Sequence, residues 1–295
     1  MSHPFRFGVT TANIRSHTDW ITKARKIEEL GYSTLLIPDR VSSGLFAPFT
    51  ALAVAAEATT TLRVGSYVFS NDYRHPVILA REAASLDMLS NGRFELGLGA
   101  GVSGQEFQQM GIPYASAGTR VERLGESIKL IKQLFTQETV NFSGKHYAVS
   151  NLKGQIPPAQ TPHLPILVAG AGERMLKLAA REANIIAIGS KVGRGGVDPT
   201  DPPLEQKLAW IREAAGERFS ELELSQTIYN IEISDSKAAP SSELGWAFAG
   251  KQSLSTEQAV EQLLEARDRY GFSYLQIYEG QVENFAPVVA RLAGK

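Results

Sequence analysis

The chain has 295 residues, 43% of them hydrophobic, with 30 basic against 31 acidic side chains and no cysteine. That length is ample for a sizeable core. The balanced charge argues against a nucleic-acid or anionic-membrane partner, and the absence of cysteine excludes disulfides, thiolate metal sites and a thiol nucleophile. MSHPFRFGVT, at the N-terminus, has no basic region ahead of a long apolar stretch, and no run approaches the roughly 18 apolar residues of a membrane span. A soluble cytoplasmic protein is the expectation.

Taken in order, FRFGVT (from Phe5) reads as a buried strand. It is followed by SHTDWITKARKIEEL, where Trp20, Ala24, Ile27 and Leu30 fall near helical spacing and Gly31 supplies a stop. YSTLLI, a loop and the helical APFTALAVAAEAT come next. LRVGSYVF leads to HPVILAREAASLDMLSNG, which ends on Asn91-Gly92, and RFELGLG leads to a long helical pattern from Ala117 to Phe135. PILVAG precedes GERMLKLAAREA, and IIAIGS precedes LEQKLAWIREAAG. LSQTIYNIEIS is followed by a loop and STEQAVEQLLEARDRYG. FSYLQIY and a last helix, Val282 to Leu292, finish the pattern.

Two distant pieces nearly repeat. GYSTLLIPD (Gly31 to Asp39) and GFSYLQIYE (Gly271 to Glu279) share glycine, aromatic, serine, leucine, isoleucine and a final acid at matching positions. The same module thus stands near both ends of a repeating architecture. Strands alternating with helices imply a parallel sheet, and about eight such units fit a closed (β/α)8 TIM barrel. No linker divides the chain, so one domain over residues 1–295 is expected. Its insertions fall near 139–152 (a β-hairpin turning at Ser143-Gly144), 191–203 (a long mobile loop) and 235–253.

In such barrels the loops after the strands form the active face. Those exits are Thr10-Thr11-Ala12-Asn13, Asp39-Arg40, Ser70 to Arg74, Gly99 to Gly104, Ala169 to Gly172, Gly189-Ser190 and Glu279-Gly280. Glycines there let backbone N–H groups approach a ligand, and a helix start behind them favours an anion. VAGAGERMLKLA has that layout at Gly170-Ala171-Gly172, although a tight strand-to-helix turn would read the same way. GAGVSG (Gly99 to Gly104) matches the dinucleotide pattern in letter only. QEFQQMG is too short for the helix required, and the acid about 20 residues on would be Glu122, inside a helical pattern. The five histidines, His3, His17, His75, His146 and His163, show no metal-ligand spacing, and no metal site is expected. His75 precedes Pro76, which suits a first helical position. Asp72 serves either as a cap for that helix or as a site residue. No nucleophile elbow is present. An open, glycine-lined face without its own catalytic constellation fits a cofactor-dependent enzyme; a binding-only barrel would look much the same.

The combination NDYRHPVILAREAASLDMLSNGRFELGLGAG (Asn71 to Gly101), EFQQMGIPY, RVERLGESIKLIKQLF and PILVAGAGERMLKLAAREANIIAIGS resembles the luciferase-like monooxygenase superfamily, and most closely its branch that uses the deazaflavin coenzyme F420. The resemblance implies a (β/α)8 barrel with the hairpin insertion, a homodimer, and a flavin-type ring across the C-terminal mouth. It places a non-proline cis peptide at Tyr67-Val68. It carries Asp39 to a position near the ring, Ala100 and Gly101 to a contact from the fourth strand, Ala169, Gly170 and Ala171 to the phosphate turn with Gly172 behind it, and Gly189 and Ser190 to its partner. The sugar-phosphate dehydrogenases of the superfamily have His after the second-strand Asp and Glu after the fourth-strand glycines. This chain has Arg40 and Val102 there, so their acid–base pair is absent and their substrate is not implied.

The reading is an F420-dependent oxidoreductase that transfers hydride between the deazaflavin ring and a small organic substrate. Protonation would fall to Asp39, Tyr73, Arg40 or Glu279. The alternatives are an FMN-dependent monooxygenase and a ligand-binding barrel without turnover. FMN lacks the anionic tail of F420, and Lys191, Arg194 and Arg174 are the cations expected to meet that tail.

Overall fold

The computed structural model describes residues 3–11, 13–41, 45–101, 103–193, 196–229, 231–234 and 252–295. Ala12, Val102, Arg194 and residues 235–251 of the last insertion lie outside the described residues.

Short, mostly buried runs make the parallel strands: β1 (Arg6–Thr10), β2 (Thr34–Ile37), β3 (Arg63–Ser66, resumed at Phe69–Ser70), β4 (Phe94–Gly99), β5 (Ile166–Gly170), β6 (Ile185–Ile188), β7 (Glu223–Thr227) and β8 (Phe272–Tyr278). They pair in the order β3-β2-β1-β8-β7-β6-β5-β4, and β3 also pairs with β4, with Val64 opposite Phe94 and Gly65 opposite Glu95. The sheet therefore closes on itself as a (β/α)8 barrel of the TIM type. The outer layer contains α1 (His17–Glu29), α2 (Pro48–Ala58), α3 (Pro76–Leu89), the short α4 (Gly104–Gln109), α5 (Ala117–Thr136), α6 (Glu173–Glu182), α7 (Leu204–Ala215), α8 (Thr256–Tyr270) and α9 (Val282–Leu292). No helix among the described residues is long and apolar enough to cross a membrane.

Local chemistry sets the helix ends. Ser16 caps α1 by accepting from Asp19 N–H, and α1 buries Trp20, Ala24 and Ile27. Ser255 and Gln258 form a reciprocal capping box on α8. The two near-repeats share a turn: Gly31 and Gly271 follow α1 and α8 at φ of 82° and 84°, a conformation that favours glycine, and each leads into a barrel strand.

Three segments depart from the sequence reading. LRVGSYVF is not one strand. It breaks between Ser66 and Phe69, where the Ser66 hydroxyl donates to Gly97 O at 2.8 Å and accepts from Gly97 N–H at 3.0 Å, standing in for the ladder. LSQTIYNIEIS divides into β7 and a short strand, Ile231–Ile233, that pairs in parallel with Gln252–Leu254. The 191–203 loop, expected to be irregular, contains an antiparallel pair, Val192–Gly193 with Gly196–Val197. The antiparallel hairpin consists of Thr139–Ser143 and Ala148–Lys153, closed by Gly144 N–H on Tyr147 O.

One loop is held by a single carboxylate. Glu28, on α1, accepts from the backbone N–H groups of Thr60, Thr61 and Leu62 at 2.9, 2.6 and 2.9 Å, fixing the entry to β3. Burial pushes this carboxyl up, but those N–H donors outweigh it and bring it from 4.5 to about 2. A depressed folded value means that the stabilisation is fully present above 4.5 and is lost as pH falls toward about 2. Urea midpoints measured against pH should therefore fall more steeply across that window for the wild type than for Glu28→Gln. Parallel curves would show that the carboxylate does not hold the loop.

Candidate active site

The strand C-termini surround one cavity of about 640 Å³, within the range of small-molecule sites. Two glycines of β4, Gly97 and Gly99, make room for the chain beside it, and Gly99 lines the cavity. Val68 bulges from the break in β3 against them: a Cβ at Gly99 would come within 2.7 Å of Val68 Cγ2, and one at Gly97 would overlap Ser66 O. The peptide between Tyr67 and Val68 is cis, at the position the resemblance gave it. Tyr67 and Val68 line the cavity beside Ala100 and Gly101. The Tyr67 hydroxyl lies 3.1 Å from Thr227 Oγ1 on β7, and burial pushes its phenol pKa up.

Asp39 lines the same cavity and is 7% exposed. It accepts two bonds from Arg74, at 2.7 and 3.2 Å, and one from Ser70 N–H at 3.2 Å. Arg74 in turn stacks over Phe69, 4.9 Å from its ring centre. Asp39 is thus committed to holding the β3 exit, which bears on its candidacy as a proton donor.

Arg40 and Tyr73, from different loops, meet on one residue that sequence reasoning missed. Glu106 is 3% exposed; Arg40 Nε donates to its Oε1 at 2.8 Å and the Tyr73 hydroxyl donates to its Oε2 at 3.2 Å. All three line the cavity. Burial, with the charges of Glu106 and Asp39, pushes the Tyr73 phenol up to about 12, so it remains a neutral hydrogen-bond donor near pH 7. A signal was available in the sequence. Ser103-Gly104-Gln105-Glu106 has the capping spacing, and Ser103 Oγ accepts from Glu106 N–H at 3.3 Å. The Glu106 side chain reaches Arg40 and Tyr73.

The same cavity is lined by Ala169, Gly170 and Ala171, with Gly189 and Ser190. Gly189 N–H donates to Gly170 O at 2.8 Å, so the two turns form one unit. Gly172 is outside the cavity lining and is the N-cap of α6, whose free N–H groups and dipole favour an anion. A second residue absent from the sequence reading stands behind them: Lys207, on α7, donates to Gly189 O at 2.9 Å.

Other expected residues lie elsewhere. Asp72 neither caps α3 nor lines this cavity; it pairs with Arg123 at 2.7 Å, and His75 is itself the N-cap. Glu279 also lies outside the lining, paired with Lys23 at 2.5 Å and with Thr11. Arg174 points to Glu122 on α5, at 3.3 Å, rather than into the mouth.

Fold, cavity and glycine turns together define a barrel enzyme whose candidate site lies at the strand exits. The luciferase-like monooxygenase family model matches residues 1–198, and the chain belongs to that family. It is 32% identical over 221 residues to an F420-dependent glucose-6-phosphate dehydrogenase of Amycolatopsis mediterranei, covering 66% of each chain. Among solved structures it is similar to the coenzyme F420-dependent tetrahydromethanopterin reductase of Methanopyrus kandleri, with a TM-score of 0.80 and 17% identity over 98% of this chain and 100% of that one. A long-chain alkane monooxygenase aligns with a TM-score of 0.78 and 15% identity over 99% of this chain and 92% of the other. At those identities the structures show the shared fold.

A steric test follows for this wall of the cavity. A Cβ at Gly170 would overlap Met175 Cγ and lie 3.0 Å from Met175 Cβ, in the first turn of α6, whereas one at Gly172 would meet nothing within 4 Å. Gly170→Val is therefore expected to displace that turn and weaken cofactor binding by roughly tenfold or more, while Gly172→Ala leaves it within about twofold. Titration by fluorescence quenching reads both. Equal affinities would remove this wall from the binding site.

Proposed function

We propose that this enzyme is an F420-dependent oxidoreductase, moving a hydride between the deazaflavin ring and a small organic substrate at the mouth of the barrel. The observation that carries this reading is that one cavity is lined by two kinds of surface. One is largely apolar, built from Tyr67, Val68 and Ala100; the other is a pair of linked glycine turns at a helix N-terminus. The first suits a tricyclic ring and the second its phosphate. The F420-dependent relative agrees with it.

Bound deazaflavin would supply the two-electron hydride chemistry. The chain's own part is to bind, orient and handle a proton. Ala169, Gly170, Ala171, Gly189 and Ser190 hold the phosphate, with α6 behind Gly172. Asp39, through Arg74 and Ser70 N–H, keeps the β3 exit in place beside the ring. Tyr73 and Arg40, tied together by Glu106, stand at the cavity edge as donors to a substrate oxygen or nitrogen. Arg40 and Glu106 thus supply a charged, hydrogen-bonded pair where the sugar-phosphate dehydrogenases of the superfamily have their acid–base pair.

An FMN-dependent monooxygenase is the second reading, because ring, ribityl chain and phosphate are common to both cofactors and the alkane monooxygenase shares the barrel. Separate titrations with F420 and FMN decide between them. We expect F420 to bind at least roughly tenfold more tightly, a preference of about 1.4 kcal/mol. Tight FMN binding with no measurable F420 binding would overturn the proposal. We further propose a homodimer, which light scattering checks.

A further inference from the structure

Lys207 is a charged residue on the buried face of a helix. In LEQKLAWIREAAG the apolar face of α7 is Leu204, Leu208 and Ile211, and Lys207 falls among them, 3% exposed. Burying an ammonium is costly unless it is paired and hydrogen-bonded. Two groups meet it: Asp201 Oδ2 at 2.6 Å and Gly189 O at 2.9 Å.

The second contact has a geometric consequence. The Gly189–Ser190 peptide is trans, since the cis bonds of the described chain are at Tyr67–Val68 and Thr161–Pro162. In a trans peptide, N–H and C=O point in opposite directions. With the carbonyl drawn to Lys207, Ser190 N–H is turned away from α7. Gly189 and Ser190 line two cavities. One is the mouth; the other, of about 360 Å³, is also lined by Lys207 and Asp201, which do not line the mouth. The carbonyl is thus drawn toward the second cavity, and the opposed N–H is left for the mouth.

The neighbouring turn repeats the device. Gly170 O accepts from Gly189 N–H, so Ala171 N–H is also directed away from its anchored carbonyl. A charged donor on a peptide oxygen further polarises that peptide and strengthens its N–H toward an anion.

We infer that Lys207, held by Asp201, is a positioning residue that orients the Gly189–Ser190 peptide, and through it the Gly170–Ala171 turn, so that their N–H groups receive the cofactor phosphate. Lys207 acts from behind the turn and touches neither ring nor substrate. The inference rests on the cofactor reading above only for the presence of a phosphate, which F420 and FMN share.

The test compares each cofactor with the form that ends at the ribityl chain: F420 against 8-hydroxy-5-deazariboflavin, which lacks both the phosphate and the tail beyond it, and FMN against riboflavin, which lacks the phosphate alone. A merely structural lysine would weaken both members of a pair together. A positioning lysine changes their ratio. Lys207→Met should cut the preference for the phosphorylated member by roughly tenfold while the phosphate-free member binds within about twofold of wild type. Lys207→Gln, which keeps a neutral donor and serves if the methionine variant does not fold, should fall between the two. An unchanged ratio in the folded variants, or equal losses for both members, overturns the inference. If the wild type binds only the FMN pair, the cofactor proposal fails and the FMN-to-riboflavin ratio still tests Lys207. If it binds neither pair, both fail.

Discussion

A carboxylate inside the barrel is the constraint on which the remainder rests. Glu95, on β4, has a side chain only 2% exposed. It accepts from Arg63 on β3 at 2.6 Å, from Arg6 on β1, and from the Tyr274 hydroxyl on β8 at 3.3 Å; Arg6 also reaches Glu223 on β7 at 2.6 Å. Burial alone would raise the Glu95 carboxyl, but Arg6 and Arg63 outweigh it and hold it below the usual range. Such networks rarely add net stability over a well-packed apolar core, whereas removing one member costs several kcal/mol. We read this one as a register device. It joins five strands at the end where most of them begin, including both strands of the closing seam, β3 and β4.

That seam sets the opposite end. Because β3 and β4 are held together at Arg63 and Glu95, the chain must part again at Ser66 for Tyr67 and Val68 to emerge, and β4 needs glycine at Gly97 and Gly99 to make room. Polar ties of the same kind finish the mouth: Asp39 to Arg74, Glu106 to Arg40 and Tyr73, Lys207 to Gly189. In each, a buried or half-buried charge is committed to a loop or side chain that lines the cavity. The cavity is therefore fixed by groups drawn from β2, β3, β4, β5, β6 and the helices behind them, while Arg40, Tyr73 and Glu106 join its lining as one hydrogen-bonded group.

The barrel was legible in the sequence because most strands contain a short apolar run, as in TLLI, ILVAG and IIAI, and these alternate with helices that carry their own periodicity or cap. Ser16 and Ser255 mark helix starts directly, and Gly31 and Gly271 mark ends. The divided strands were not legible: LRVGSYVF is apolar on both sides of its break, and nothing local distinguishes Ser66 from a strand residue. Glycine turns around Gly170 and Gly189 could be read as a pair of exits, yet the hydrogen bond joining them is between residues 19 apart, Gly170 and Gly189. Glu106 and Lys207 escaped for opposite reasons. Glu106 looked like part of a short polar helix, and its role depends on loops far off in the chain. Lys207 sits on an apolar helix face like an ordinary surface lysine out of phase, and its meaning depends on where Gly189 O lies. Asp72 and Glu279 were plausible acids whose partners, Arg123 and Lys23, take them out of the cavity lining.

The most direct test of this account is a crystal structure of the enzyme with F420 bound. The account predicts the deazaflavin ring against Tyr67–Val68 and Ala100, and the phosphate within hydrogen-bond distance of the N–H groups of Ala171 and Ser190, with Lys207 still on Gly189 O. A phosphate seated elsewhere in the mouth, or a ring that leaves the Tyr67–Val68 wall uncovered, would contradict it.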